Sequence, residues 1–312
     1  MSVKMITINA EGQGQRLDNF LFSLFRKVPK SRIYRAIRKG EVRVNKRRVN
    51  AKYRLLEGDC LRIPPLRVPS KEPVAKASAQ VRKWLSSLIV YEDSRMLLLN
   101  KPSGLSVHGG SGQVFGVQEV LKQMRPDAAR IELVHRLDKG TSGCLILAKD
   151  RSILTLLQNQ FRMRHVQKEY IALVKGVWRG GERRVEVPLL KKELSNGEKR
   201  IYACDEKGKP AVSIFKPLKV MAGMSLVQVK IETGRMHQIR VHAHYLGHPV
   251  AGDSKYGCDY FNKILSERGL KRLFLHSLSL GFPRLAGEIP FYAVSIQLPE
   301  ELVVFLEKNN KN

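Results

Sequence analysis

The sequence predicts an α+β protein with a mixed, largely antiparallel sheet, preceded by a small α/β domain. Three observations lead there. Residues 1–67 hold 17 Lys plus Arg against 5 Asp plus Glu in about a fifth of the chain, which sets them apart as a basic unit. The stretch Leu66 to Ala79 is rich in Pro, Lys, Ala and Ser and has no hydrophobic period, so it reads as a linker. Beyond it, short β-like runs separated by Gly-rich turns outnumber helices and show no strict β-α-β alternation, which argues against a doubly wound sheet. The expected division is therefore 1–67, a linker over 68–87, and 88–312.

In the basic unit, Leu17, Phe20, Leu21 and Leu24 recur at helical spacing and predict a helix over Arg16 to Phe25. Ser31 is the expected N-cap of a second helix that runs to Lys39 and is ended by Gly40. On that helix Ile33, Ala36 and Ile37 share one side, and Arg32, Arg35 and Lys39 share another. Val42, Val44 and Val49 flank Asn45-Lys46-Arg47-Arg48, which reads as a hairpin whose turn presents Lys46, Arg47 and Arg48. Such a cationic face is ordinarily just solvated. Here few carboxylates are near enough in sequence to pair it, so it suits an RNA backbone.

In the larger part, strands are expected at Leu88 to Tyr91, Met96 to Asn100, Cys144 to Ala148, Tyr170 to Val174, Ser225 to Ile231 and Ala293 to Leu298. Helices are expected at Gln113 to Arg125, Ile153 to Arg164, Gln238 to Leu246 and Glu301 to Lys308.

Composition narrows the function. A net charge of +28 over 312 residues points to a polyanion, nucleic acid first. No apolar run approaches the ~20 residues that span a bilayer, and Met1 to Ala10 lacks a signal peptide's apolar core, so a cytoplasmic protein without a membrane partner is expected. Cys60, Cys144, Cys204 and Cys258 are scattered without a C-x-x-C pair and read as reduced structural thiols. His237, His242, His244 and His248 match no familiar zinc spacing, and no metal is expected.

The chemistry is expected at His135-Arg136-Leu137-Asp138-Lys139-Gly140-Thr141-Ser142-Gly143, where one short carboxylate lies between two cations after the apolar run Ile131 to Val134. Neighbouring cations keep a carboxylate anionic, ready to attack an electrophile or orient a proton. The competing reading is a turn residue, because Asp, Gly and Ser all suit tight turns. Lys101 to Gly112 is a Gly- and Ser-rich loop that lacks the order of a nucleotide-binding P-loop. Gly234 to His244 reads as a loop entering a helix whose start, with Arg235 and Arg240, would bind an anion. Tyr170, beside Lys168 and Glu169, fits either a core or a catalytic position.

His135-Arg136-Leu137-Asp138 followed by Thr141-Ser142-Gly143 resembles the active-site signature of the RluA-type pseudouridine synthases. The likeness continues in Asn100 to Gly104, Lys168-Glu169-Tyr170, Thr233 to His242, Gly252-Asp253 with Tyr256-Gly257, and Leu275-His276. Gln15 to Pro65 is similar to the S4-like RNA-binding module that precedes the catalytic domain in several of these enzymes.

The resemblance implies isomerisation of uridine to pseudouridine without a cofactor, with Asp138 as nucleophile toward either the uracil ring or the ribose. It implies that Arg240 pairs with Asp138, that Tyr170 stacks near the base and serves as acid or base, and that Ile239 and Leu275 line the pocket. A target uridine must be flipped out, and Arg136 is the residue expected to fill the vacated stack. His135, Thr141, Arg235 and His237 fall in the same blocks and are expected to meet the RNA. Met236 stands where the family commonly carries Thr or Ser, which removes a hydroxyl and implies altered affinity. The basic module makes structured rRNA, 23S rRNA or its large-subunit precursor, the expected partner of a monomer. A tRNA-directed synthase or a non-catalytic ribosome-assembly factor are the alternatives.

Overall fold

The computed structural model describes residues 3–25, 28–66, 77–107, 116–128, 131–194, 198–204, 207–283, 285, 288–289 and 292–310. The chain falls into two units, Met1–Ala75 and Lys76–Asn312.

The first unit contains β1 (Lys4–Thr7), α1 (Leu17–Leu24), α2 (Lys30–Arg38), β2 (Arg43–Val44) and β3 (Cys60–Ile63). The strands form an antiparallel sheet in the order β1-β3-β2. Leu17 and Leu21 from α1 and Ile33, Ala36 and Ile37 from α2 bury the predicted apolar faces against Leu61 and Ile63. Ser31 is not the cap: α2 starts at Lys30, two residues earlier than a cap at Ser31 would place it, behind Pro29, whose carbonyl accepts from the Arg32 and Ile33 amides. The fixed φ of proline sets that entry without a side-chain acceptor.

The expected hairpin is reduced to one bridge between Val44 and Arg47, with Asn45 and Lys46 at positive φ. Its ladder runs to β3 instead of to Val49, because Asn45 bonds both Asp59 (2.7 Å) and the Cys60 amide (2.8 Å). Arg32 is paired with Glu41 at 2.9 Å, contrary to the expectation that the cations lack carboxylates. Arg35, Lys39, Lys46, Arg47 and Arg48 are exposed and have no ion-pair partner among the described residues.

Residues 68–76 of the expected linker lie outside the described residues, and residues 79–87 are no linker. They form α3 (Ala79–Ser87), capped by Ser78 Oγ and buried only through Leu85. One buried residue in nine gives no readable period, which hid this helix.

In order, the second unit then holds β4 (Ile89–Glu92), β5 (Met96–Lys101), α4 (Val117–Met124), β6 (Glu132–Leu133), β7 (Ser142–Ala148), α5 (Arg151–Arg162), β8 (Gln167–Lys175) and β9 (Arg183–Glu186). A hairpin of β10 (Leu189–Glu193) and β11 (Lys199–Ala203) follows, then β12 (Val212–Met221), β13 (Met224–Ile231), α6 (Gln238–Tyr245), α7 (Asp259–Glu267), β14 (Leu275–Gly281), β15 (Ala293–Ser295) and α8 (Glu300–Lys308). The main sheet runs β4-β5-β7-β14-β8-β13-β12-β9, with β15 beside β14 and β6 beside β7. Its pairs are antiparallel except β14 with β7. This is the mixed, largely antiparallel α+β architecture that the sequence predicts.

Side chains alternate between the two faces of the sheet. Leu97, Leu99, Leu145, Leu147 and Ala172 enter one core, and Leu98 and Ile146 enter another beneath Ile153 and Leu157 of α5. Ile171 and Leu173 are covered by Phe261 of α7 and Phe305 of α8. Covering on both faces explains why β7 reads as an unbroken apolar run.

Among the described residues, the one parallel pairing aligns Ser142 with His276 and Gly143 with Ser277. Gly143 has φ +110°, and a Cβ there would fall on the Ser277 carbonyl oxygen. Only glycine accommodates both constraints. Gly143→Ala is expected to cost more than ~1 kcal/mol of stability, read as a lowered urea midpoint; an unchanged midpoint would show that the two strands can separate without loss.

Candidate active site

The chain segment between β6 and β7 turns at Asp138, where the Thr141 amide bonds the Asp138 carbonyl at 3.1 Å. Three groups from the Asn100 to Gly104 block hold this turn from behind. Lys101 Nζ donates to the carbonyls of Pro102 (2.8 Å), Leu105 (2.8 Å) and Lys139 (3.2 Å). The Gly104 amide also donates to the Lys139 carbonyl (2.8 Å), and Ser103 Oγ to that of Gly140 (2.7 Å). In this part the Gly- and Ser-rich loop therefore clamps the Asp138 turn; its residues 108–112 lie outside the described residues. Lys101 is wholly buried, and burial, with Arg272 acting in the same direction and Asp138 against it, pushes its pKa down to about 7.

Asp138 opens into a cleft of about 1210 Å³. Its carboxylate oxygen Oδ2 lies 3.6 Å from Arg240 Nη1 and 3.8 Å from His237 Nε2. Arg240, on α6, is committed first to Asp253: Nε and Nη2 donate to its two oxygens at 2.7 and 2.6 Å. Asp253 also accepts from the amides of Lys255 (2.8 Å) and Tyr256 (3.1 Å). Burial works against its charge, and the guanidinium with the two amides outweighs burial, so its carboxyl stays below the usual range. Arg240 thus approaches Asp138 as a charge held by another carboxylate. The sequence neighbours Arg136 and Lys139 are exposed and form no ion pair with Asp138.

His237 occupies the left-handed region at φ +55° immediately before α6. The Tyr256 hydroxyl accepts from the Ile201 amide at 3.0 Å and lies 2.8 Å from His237 Nδ1. That contact orients the ring so that Nε2 faces Asp138. Burial lowers the His237 pKa, against the pull of Asp138 and with that of Arg240.

Tyr170, from β8, is buried and lines the cleft with Ile239 and Leu275, giving an apolar surface beside the carboxylate. Burial raises its pKa, so it rests as a neutral phenol. Arg136 lies at the exposed edge of the cleft, Thr141 is buried in its wall, and Met236 is 38% exposed on its lining. Arg235 also lines it, with Nε bonded to the Pro210 carbonyl at 3.0 Å. His135 is turned elsewhere: its ring stacks on Phe161 at 4.8 Å, Nε2 accepts from the Ile146 amide at 3.1 Å, and burial pushes its pKa down to about 3. It braces the fold and is not among the residues that line the cleft. Arg32, Arg35, Lys39, Lys46, Arg47 and Arg48 belong to the other unit.

The remaining histidines have separate duties. His242 is buried between Ser213 Oγ and the Val187 carbonyl, His244 bonds the Tyr256 carbonyl, and His248 bonds that of Lys175. Sequence reasoning gave no role to Asp253, Tyr256, Lys101 or Arg272. Arg272 donates to Ser142 Oγ (2.5 Å) and to Glu301 (2.8 Å) at the cleft wall. Asp253 and Tyr256 were visible only as the block Gly252-Asp253 with Tyr256-Gly257, since nothing in linear spacing says that Asp253 folds back onto Arg240.

A single unlocked carboxylate beside a held guanidinium and an aromatic wall suits covalent chemistry on a flat, uncharged ring. Residues 95–245 match the family of RNA pseudouridylate synthases, and residues 15–60 match the S4 domain. The chain belongs to the RNA pseudouridylate synthase family. Among its relatives is the ribosomal large subunit pseudouridine synthase C of Haemophilus influenzae, 50% identical over 283 residues that cover 90% of this chain and 87% of that protein. The protein of the same name from Escherichia coli is 50% identical over 285 residues, covering 90% and 89%. Of solved structures, human RNA pseudouridylate synthase domain containing 4 superposes with a TM-score of 0.60 at 28% identity, covering 73% of this chain and 95% of that one.

The buried lysine gives a test with a defined sign. Between about 7 and 10.5 the unfolded chain holds a proton on Lys101 that the folded chain has released, so the native state gains stability as pH rises through that window. The stability difference between the wild type and Lys101→Met should therefore grow from pH 7 to pH 9 in denaturant titrations, and a flat or falling difference would contradict the assignment. Loosening the Asp138 turn should also lower kcat by roughly tenfold to a hundredfold.

Proposed function

We propose that this protein isomerises specific uridines of 23S rRNA, in the large subunit or its precursor, to pseudouridine, with Asp138 as the nucleophile. The observation that carries this reading is the state of the carboxylates lining the cleft. Asp253 is bound bidentately and Glu301 is paired with Arg272, while Asp138 remains partly exposed and 3.6 Å from its nearest cation. It lines the cleft, with Arg240 and His237 no nearer than 3.6 and 3.8 Å, which leaves the carboxylate available to form a bond.

A uridine inside folded RNA has to leave its stack to reach Asp138. Arg136, exposed beside the carboxylate, has the planar cation suited to fill the gap. The extruded base would lie against Tyr170, Ile239 and Leu275. Asp138 then adds to the uracil ring or to the ribose anomeric carbon; the N-glycosidic bond breaks, the base turns and is rejoined through C5, the bond to Asp138 breaks, and the proton displaced from C5 passes to the freed carboxylate or to solvent while N1 gains one. Arg240 and His237 stabilise the carboxylate as it returns. Tyr170 offers a stacking surface, and burial keeps its phenol in the neutral form that can serve as an acid. No step calls for a metal or organic cofactor.

The S4 domain supplies phosphate contacts, for which Arg35, Lys39, Lys46, Arg47 and Arg48 are exposed and unpaired among the described residues. Among those residues no helix is long and apolar enough to cross a membrane. The reading is of a cytoplasmic monomer that meets ribosomal RNA as the subunit is built.

Asp138→Asn should abolish pseudouridine formation and leave RNA affinity nearly intact. A pseudouridine map of 23S rRNA from cells lacking the protein, complemented with the wild type or with Asp138→Asn, tests both the reaction and the target. Sites restored by the wild type alone support the assignment; an rRNA map that never changes transfers the search to tRNA. Replacing Arg35, Lys39 and Arg47 together with Gln should weaken binding and reduce the magnitude of the slope of log K against log salt by about 2 if all three touch phosphate. An unchanged slope in a binding titration would remove this face from the RNA interface.

A further inference from the structure

Beside the reaction cleft is a second cavity of about 220 Å³, between the β10–β11 hairpin and α6. Its lining brings together Arg200, Tyr202, His244, Tyr245 and Lys255 over an apolar patch that includes Val241. Tyr202 and Tyr245 are 37% and 57% exposed, an unusual setting for two large rings that line one cavity. Neither is used by the hydrogen bonds that build the reaction site. The hairpin carries Lys191, Lys192, Lys199 and Arg200 against Glu193 and Glu198, so its field favours an anionic strand.

The geometry points to a subsite for an unpaired nucleobase of the substrate RNA, next to the nucleotide that is isomerised. This deepens the reading of the protein as an RNA pseudouridine synthase and rests on it. Four observations support it. Two tyrosines facing a small cavity offer π surfaces, and base–aromatic stacking tolerates any sequence. Cations accompany the aromatic rings here: Lys192 Nζ lies 5.5 Å from the Tyr202 ring centroid, and the Arg200 guanidinium lies 5.7 Å from that of Tyr256, which also lines the cavity. Arg200 is further fixed by donating to the Lys255 carbonyl.

The fourth observation gives the direction of the strand. Lys255 lines both the cavity and the reaction cleft, so one phosphodiester passing over it would join a base in the cavity to a uridine at Asp138. Lys255 is held there through Glu198. Tyr256, at the wall of the cavity, also reaches His237 through its hydroxyl. Recognition of the neighbouring base is then a property of the hairpin and α6, separate from the phosphate grip of the S4 domain.

The test compares the wild type, Tyr202→Ala/Tyr245→Ala and Tyr202→Phe/Tyr245→Phe on 23S rRNA transcripts and on tRNA, so that the subsite is examined whichever RNA is the substrate. The alanine pair is expected to raise KM about fivefold or more, with kcat within twofold, and the phenylalanine pair to restore the wild-type KM. Ultraviolet crosslinking of the wild type to the same RNA should place a crosslink on Tyr202 or Tyr245. The subsite is overturned by an unchanged KM in the alanine pair, by an equal loss in the phenylalanine pair, or by crosslinks confined to other residues. A pocket that serves a protein ligand would give the first of these. Absence of pseudouridine formation on both RNAs by the wild type would instead refute the functional reading, and the crosslinks would still decide the subsite.

Discussion

The ion pair between Arg240 and Asp253 is the interaction on which the site depends. Two charges are taken out of water there, a costly step unless every polar atom is satisfied. Asp253 meets that demand with both guanidinium bonds and the amides of Lys255 and Tyr256. The pair thereby fixes α6 against the segment that follows it and leaves one guanidinium nitrogen pointing at Asp138 from 3.6 Å. A full salt bridge at Asp138 would have to be broken before its carboxylate could form a covalent bond. Holding the cation on a different carboxylate supplies the field without that obstacle.

The second constraint is placement of the Asp138 turn. It is clamped by Lys101, Ser103 and Gly104 on one side and continues directly into β7 on the other. Those groups come from β5 and the loop after it, so the turn is tied to its sheet neighbour. Gly143 lets β14 approach close enough to bring Leu275 to the cleft. Fold and chemistry thus meet in a few backbone hydrogen bonds around one short segment.

Much of this was legible in the sequence, for identifiable reasons. The strands β5, β7, β8 and β13 are apolar and bounded by turns, and α1, α2 and α5 carry clear periods. Asp138, Tyr170 and Arg240 lie in distinctive blocks and do line one cleft. What escaped had weaker local signals. Helix α3 buries one residue, the β10–β11 hairpin is charged on both strands, and α7 opens without a side-chain cap. Partnerships were harder still. Arg240 was assigned to Asp138 because both stand in recognisable motifs, yet its bidentate partner lies 13 residues along the chain. His135 was grouped with its neighbours in the motif, although its ring stacks on Phe161 and does not line the cleft.

The position of β14 has a consequence for how the protein is made. In the sheet this strand lies between β7 and β8, although it is translated after both. While the chain is still emerging, β4, β5 and β7 can pair among themselves, as can β8, β13, β12 and β9, but the two groups have no shared edge. Asp138 rides on the first group, and Tyr170 with the segment leading to Arg240 rides on the second. Domains form from the N-terminus as synthesis proceeds, so the S4 domain can fold on the nascent chain while the catalytic centre is still in halves. Insertion of one late strand completes the sheet and brings Asp138 and Tyr170 together, which makes a complete cleft one of the last properties the polypeptide acquires.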